Sequence, residues 1–194
     1  MFLDHKNLYN SIEAFLFYIL CEVREDGFHF VGYFSKEKVQ EENQNTRNLS
    51  CIMVMPFCQR SGYGKLLIEM SYALSMIEGK PGSPERPLSD LGHRTYVSFW
   101  TRRVVQVLLD LGDEVDSISI KMIKERTGMI EKDIQYILKY QQIQRGESVN
   151  CDKAFLEGIL KVAGRAGRSV YSKQIRWKPY VTLTEINGTV GLER

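Results

Sequence analysis

Apolar residues run almost unbroken over residues 14–21 (AFLFYILC) and again over 28–34 (FHFVGYF), with Glu25, Asp26 and Gly27 between them. Two aromatic-rich runs around an acidic Asp-Gly turn predict an antiparallel β-hairpin. Residues 36–48 are polar and charged and predict a loop or a solvated edge. Residues 49–55 (LSCIMVM) predict a third strand, stopped by Pro56. From residue 64 to 78, Leu66, Leu67, Met70, Ala73, Leu74 and Ile77 recur at helical spacing and mark the clearest amphipathic helix of the chain. Residues 79–91 hold Gly79, Pro81, Gly82, Pro84 and Pro87 and must be irregular. A second helix is expected over 96–111, ended by Gly112. The character changes at 112–117. Two short helical patterns follow, 118–126 and 130–140, separated by Thr127-Gly128 in a helix-turn-helix rhythm. Residues 145–178 read as basic and irregular, with weak strand signals around Val170 and at 180–183.

Composition narrows the classes. The chain has 194 residues, 43% hydrophobic and 26% charged, enough for one cored domain or a domain with an appendage. Its 26 Lys and Arg against 24 Asp and Glu leave a net charge of +2, which excludes a strongly basic tail and an acidic disordered chain. The balance is not uniform. Residues 153–178 carry seven basic side chains against Glu157, a net of +6. That stretch is a candidate contact for nucleosomal DNA or RNA, and a solvated face is at least as good a reading. No apolar run approaches the ~18 residues of a membrane span. Residues 1–10 lack an apolar core, so no signal peptide is expected. Cys21, Cys51, Cys58 and Cys151 form no CxxC pair and read as reduced intracellular thiols. His5, His29 and His93 are scattered, so no metal site is expected.

The chemistry concentrates in residues 49–75, LSCIMVMPFCQRSGYGKLLIEMSYALS. A strand ends at Pro56, and Gly62-Tyr63-Gly64 then opens the amphipathic helix, preceded by Gln59, Arg60 and Ser61. A helix N-terminus presents N–H groups and a positive dipole end, and glycines let a phosphate approach that backbone. Arg60 and Lys65 add charge beside it, so the loop suits a pyrophosphate. The spacing fits neither a Walker A loop nor a full GxGxxG fingerprint, and by spacing alone a plain tight turn is an equal reading.

Gln59-x-x-Gly62-x-Gly64 directly after a strand is similar to the acetyl-coenzyme A signature of GNAT-like acetyltransferases. The longer strings CIMVMPFCQRSGYGKLLIEMSYALS, GSPERPLSDLG and YVSFWTR resemble the MYST family of histone acetyltransferases. FLDHKNLY near the start, the hairpin and NLSCIM look like the same family. The resemblance is dense over residues 2–110, faint over 112–140, and later limited to a Trp-Lys-Pro at Trp177. It implies an α/β (α+β) fold. Residues 1–112 would form a GNAT-like acyl-CoA N-acyltransferase core with a mixed, mostly antiparallel sheet and flanking helices. Residues 113–194 would form a divergent winged-helix or helix-turn-helix-like region.

The resemblance also implies a function: transfer of an acetyl group from acetyl-CoA to a lysine on a histone tail, in the nucleus, within a multisubunit chromatin complex. Glu85, in Pro84-Glu85-Arg86-Pro87-Leu88-Ser89, matches the family's general base. Such a base is needed because a lysine with pKa near ~10.4 arrives as an ammonium. Cys51 matches the active-site cysteine. It is either an acetyl-accepting nucleophile or a shaping residue in a direct transfer, and direct attack on the activated thioester is the simpler scheme. Without the family match, a buried strand cysteine and a solvated loop carboxylate would be the better readings of Cys51 and Glu85. The backbone of Ile52, Met53 and Val54 is expected to pair with the pantetheine arm. Gln59, Arg60, Ser61, Gly62, Tyr63, Gly64 and Lys65 are expected to cradle the pyrophosphate. Ser89 and Ser98 match cofactor-contact positions, Ser98 doubling as an ordinary helix serine. Leu66, Leu67, Met70 and Leu74 are expected in the core, as are the aromatics Phe15, Phe17, Tyr18, Phe28, Phe30, Tyr33 and Phe34.

The alternatives are a truncated, weakly active or inactive coenzyme A-binding or chromatin-scaffold module, and a winged-helix DNA binder resting on residues 117–178. The family's Cys/His zinc finger and its self-acetylated lysine would fall before Met1. The chain therefore reads as the later part of a larger catalytic domain.

Overall fold

The computed structural model describes residues 12–38, 46–112, 118–145, 148–149, 152–164 and 167–180. The expected hairpin forms. Strand β1 (Phe15–Arg24) pairs antiparallel with β2 (Gly27–Glu37) from Phe15↔Glu37 to Arg24↔Gly27, with a bulge at Leu20/Cys21. Strand β2 runs further into the polar stretch than its hydrophobic pattern predicts. Lys36 is held there by an ion pair with Glu78, at the far end of the first helix.

The third expected strand divides at Ser50-Cys51. Strand β3 (Arg47–Leu49) turns away to pair in parallel with a later strand, while β4 (Ile52–Val54) pairs antiparallel with β2. The main sheet has the order β1-β2-β4, so β4 is an edge. Gly32 lies opposite Val54, and a Cβ on it would sit 2.3 Å from the Met53 carbonyl oxygen. Only glycine lets β4 approach this closely.

Helix α1 (Tyr63–Glu78) is bounded by Gly62 and Gly79, both left-handed at φ 88° and 69°. Strand β5 (Ser83–Pro84) follows as the parallel partner of β3. Helix α2 (Asp90–Gly112) begins well before residue 96. Ser89 explains the early start: its hydroxyl accepts from the Gly92 N–H (3.1 Å), and Asp90 complements the positive end of the helix. Helices α3 (Ile120–Thr127) and α4 (Glu131–Tyr140) form the expected pair, turned at Gly128. Strands β6 (Gln144–Arg145) and β7 (Ser148–Val149) make a short hairpin.

The basic stretch that reads as irregular contains another helix, α5 (Lys153–Val162). The missed signal was local. Asp152 caps the helix by accepting from the Phe155 N–H (2.7 Å), and Phe155, Leu156, Ile159 and Leu160 recur at helical spacing toward the core. Val170 and Tyr180 lie in no strand, and residues 181–183 fall outside the described residues. The architecture is mixed α/β, an antiparallel sheet with five helices among the described residues.

The main core is built on α2. Tyr96, Trp100, Val104, Leu108 and Leu111 pack with Ile68 and Tyr72 of α1, and with Ile123, Ile134, Ile137, Leu138 and Leu156 beyond residue 112. A smaller cluster of Phe34, Leu49, Leu67 and Leu74 joins sheet to α1, with Leu20, Ile175 and Trp177 against it. The sheet aromatics divide. Phe15, Tyr33 and Phe34 are buried and Tyr18 stacks on Phe34 (4.6 Å), but Phe17 and Phe30 are exposed and Phe28 is 79% exposed. For Phe28 and Phe30 the reason is length: β4 is three residues long, so the hairpin tip extends past it, whereas Phe17 lies opposite Ser35 on β1, the outer strand of the sheet.

Candidate active site

The cleft is built from β4 outward. In the antiparallel pair, Ser35 N–H donates to Cys51 O (2.8 Å) and Met55 N–H donates to Val31 O (2.9 Å). By strand alternation the backbone groups of Met53 therefore face β2, while those of Ile52 and Val54 face the outer edge. Ile52 and Val54 line a cleft of about 950 Å³ and Met53 does not. Of the three residues expected to offer backbone to an extended ligand, Ile52 and Val54 have theirs on the cleft side.

The loop after β4 is held by its own side chains. Gln59 Nε2 donates to the Val54 carbonyl (3.1 Å), and Arg60 adopts φ 63°, a left-handed conformation uncommon outside glycine. Gln59, Arg60, Ser61, Gly62, Gly64 and Lys65 all line the cleft. Leu66 N–H is the first to reach an intrahelical acceptor, Gly62 O (3.1 Å), so the N–H groups of Tyr63, Gly64 and Lys65 point out of the helix end. Tyr63 itself is buried below the loop. Burial, and then the nearby Arg102 guanidinium, lower the Lys65 pKa below the ordinary lysine range.

The opposite wall comes from elsewhere in the chain. Ser89, Leu91, Thr95 and Tyr96 supply the start of α2, and Gly167 and Arg168 supply the rest. The Arg168 guanidinium lies over the Tyr63 ring (4.5 Å). The backbone fit is close: a Cβ on Gly167 would come within 2.9 Å of Lys65 Cβ, and one on Gly62 within 3.4 Å of Arg168 N. No sequence motif pointed to Gly167 or Arg168. By sequence Arg168 is one member of a basic stretch. Ser98 does not reach the cleft. Its hydroxyl donates to the Ala163 carbonyl and ties α2 to the end of α5.

Glu85 and Cys51 are each tied to the segment around β3, and neither lines the cleft. Leu49 pairs with Pro84 across β3 and β5, and Glu85 N–H donates to the Leu49 carbonyl (2.8 Å). Glu85 is half-buried. Cys51, two residues along from Leu49, is 3% exposed and packs with Phe15. Its N–H donates to Ser35 Oγ (3.1 Å). Cys21, Cys51 and Cys58 form no disulfide with one another, and Cys151 lies outside the described residues. Among the described residues no cluster of His, Cys, Asp and Glu is arranged for a metal ion, and no helix is long and apolar enough to cross a membrane.

These features define a mixed α/β domain with a strand edge, a glycine-opened helix N-terminus and basic side chains around one cleft, beside a carboxylate loop. The chain belongs to the MOZ/SAS family, whose model matches residues 1–175. It is 46% identical over 184 residues to histone acetyltransferase of the MYST family 2 from Arabidopsis thaliana, covering 93% of this chain and 40% of the relative. It is 39% identical over 195 residues to histone acetyltransferase esa-1 from Neurospora crassa, covering 98% and 38%. It is 40% identical over 185 residues to histone acetyltransferase ESA1 from Gibberella zeae, covering 93% and 36%. The chain thus spans about two fifths of the length of the curated relatives it matches.

Proposed function

We propose that this chain carries the cosubstrate site and the reacting side chains of a histone lysine acetyltransferase that uses acetyl-CoA. The observation that carries this reading is the convergence on one cleft of the outward edge of Ile52 and Val54 with the loop from Gln59 to Lys65. An extended ligand with amides at one end and phosphates at the other fits that sequence of surfaces. Ile52 and Val54 offer backbone partners to a pantetheine arm. The helix N-terminus with Arg60, Lys65 and Arg168 offers donors and charge to a pyrophosphate.

The acetyl thioester is the second substrate and brings an already activated carbonyl carbon. Glu85 takes the proton of the lysine ammonium, directly or through water. The neutral amine then bonds to the acetyl carbon as the carbon–sulfur bond breaks, and the sulfur leaves as thiolate and takes up the second proton that the new amide nitrogen sheds. Cys51 shapes the site beside Glu85. A thiol packed against Phe15 and sealed from solvent suits that role better than nucleophilic attack.

Residues 1–112 act as a GNAT-like core, and 113–194 as a winged-helix-like appendage whose helices share the core of α2. The histone tail is the acceptor, the nucleus the compartment and a multisubunit chromatin complex the setting. Lys153, Lys161, Lys173, Arg176 and Lys178 remain at the surface for a DNA contact.

Calorimetry with coenzyme A, and transfer assays with a histone peptide, test the reading. Tight coenzyme A binding that Gly62→Val weakens about a hundredfold, with turnover strongly reduced but measurable in Glu85→Gln, is the expected result. Coenzyme A binding indifferent to Gly62→Val overturns the cosubstrate site. Undiminished turnover in Glu85→Gln overturns the base.

A further inference from the structure

Asp133, in the first turn of α4, is fully buried. Ser83 Oγ donates to its Oδ2 (2.7 Å) and Arg86 Nη2 donates to its Oδ1 (2.7 Å). These donors flank Glu85 on both sides in sequence. A buried carboxylate is a costly way to fill a core position, where a leucine would pack without desolvation. Burial raises the Asp133 pKa above the usual carboxylate range, while its bonds to Ser83 and Arg86 oppose that rise. The group is therefore held against a penalty, and its two partners show what it holds.

The same segment is fastened at every step. Gly82 N–H donates to Gly128 O (2.6 Å) and Ile130 N–H to Gly82 O (3.3 Å), which joins it to the α3–α4 turn. Ser83 N–H donates to Thr46 O (2.7 Å) and Glu85 N–H to Leu49 O (2.8 Å), which joins it to the β3 side. The Arg86 guanidinium also faces the Trp100 ring (5.6 Å), and Trp100 Nε1 donates to Tyr72 Oη (2.7 Å). A proline-rich loop that carries a reacting carboxylate is thereby locked to two separate parts of the fold.

We propose that Asp133 is a positioning residue for Glu85: by gripping Ser83 and Arg86 it fixes the backbone that aims the Glu85 carboxylate at the acceptor amine. This rests on the reading of Glu85 as the base. It assigns the α3–α4 pair, whose rhythm suggested nucleic-acid binding, a part in acetyl transfer.

The experiment uses the full chain in five forms: wild type, Asp133→Asn, Arg86→Gln, Glu85→Gln and the Asp133→Asn/Glu85→Gln double variant. Amide hydrogen exchange by mass spectrometry, with α1 as the internal reference, needs no turnover. Exchange over residues 82–86 should accelerate about tenfold or more in Asp133→Asn and in Arg86→Gln, with α1 unchanged. In the transfer assay kcat should fall about ten- to a hundredfold in Asp133→Asn, since small misplacements of a reacting group have effects of that size. Its Kd for coenzyme A should stay within about twofold, so that the loss falls on kcat alone.

The double variant should be no slower than Glu85→Gln alone. Arg86→Gln, changed at a partly exposed side chain, carries the test if Asp133→Asn does not fold. Unchanged exchange over 82–86 overturns the clamp. So does unchanged kcat in a folded variant, or an additive loss in the double variant. If Glu85→Gln keeps full turnover while the exchange arm behaves as expected, the base reading has failed and takes the aiming role with it, and the clamp is a structural lock alone.

Discussion

The two walls of the cleft are made differently. One is contiguous: β4, the loop and the first turn of α1 follow each other from Ile52 to Lys65, and most of what they offer is backbone. The other is assembled from the start of α2 and from Gly167 and Arg168, more than seventy residues further along. What it adds in charge is a side chain, Arg168. A backbone wall depends on conformation, so its weak points are glycines. A side-chain wall depends on packing that brings a distant segment home, so its weak points are the contacts that hold that segment.

Glycine positions should therefore be the most sensitive. Gly62→Val puts a branched side chain at φ 88° against Arg168 N, and should weaken coenzyme A binding by about two orders of magnitude in calorimetry. Comparable loss from Arg168→Ala would erase the distinction between the walls. Gly82→Ala comes next. Its Cβ would lie 2.3 Å from Asn48 Nδ2 and 2.6 Å from Ser75 Oγ. The overpacking should cost about 2 kcal/mol and lower Tm by about 4–8 °C. Calorimetric unfolding checks it, and a Tm within about 1 °C of wild type would contradict it.

Arg168→Ala should weaken coenzyme A about tenfold while Tm stays within about 2 °C, as expected for one charge-assisted contact at the rim. Its salt dependence should be shallower than that of wild type. A smaller effect concerns Lys65. Burial lowers its folded pKa, so its positive charge is lost as pH rises earlier than for an ordinary lysine. Coenzyme A affinity should fall on the alkaline side ahead of the ordinary lysine range, and Lys65→Met should flatten that part of the profile. The smallest effect is expected at the hairpin tip, where Phe28→Ser should change stability by no more than about 0.5 kcal/mol.

The same contrast explains what was legible in the sequence. Hydrophobic period and glycine placement found β1, β2, α1, α3 and α4, because each is set by residues close together in the chain. They missed the division of the third strand, since nothing local distinguishes a seven-residue strand from two short ones with different partners. The early start of α2 is encoded locally by Ser89 and Asp90, but the prolines just before them also fit an irregular segment. Helix α5 was hidden by its charge: Lys153, Glu157 and Lys161 drew attention away from Phe155, Leu156, Ile159 and Leu160. At the site, the contiguous loop is legible from its glycines, whereas Glu85 and Cys51 are read as reacting groups through the family resemblance alone. Ser98 was placed in the cleft on that basis, whereas the structure uses its hydroxyl on Ala163. Arg168 and Asp133 act across long sequence separations, and no spacing rule reaches that far.

The position of Arg168 has a consequence for biosynthesis. A ribosome delivers this chain from its N-terminal end, so the contiguous wall leaves the exit tunnel well before the other can be completed. Until residues 167–168 emerge, the loop at 59–65 lacks the backbone that packs on Gly62 and Lys65 and the cation over Tyr63. On the proposed reading of the cleft, cosubstrate capture at full strength is a late event in the making of the protein. A nascent chain stalled short of those residues should gain less stability from coenzyme A than the finished chain does.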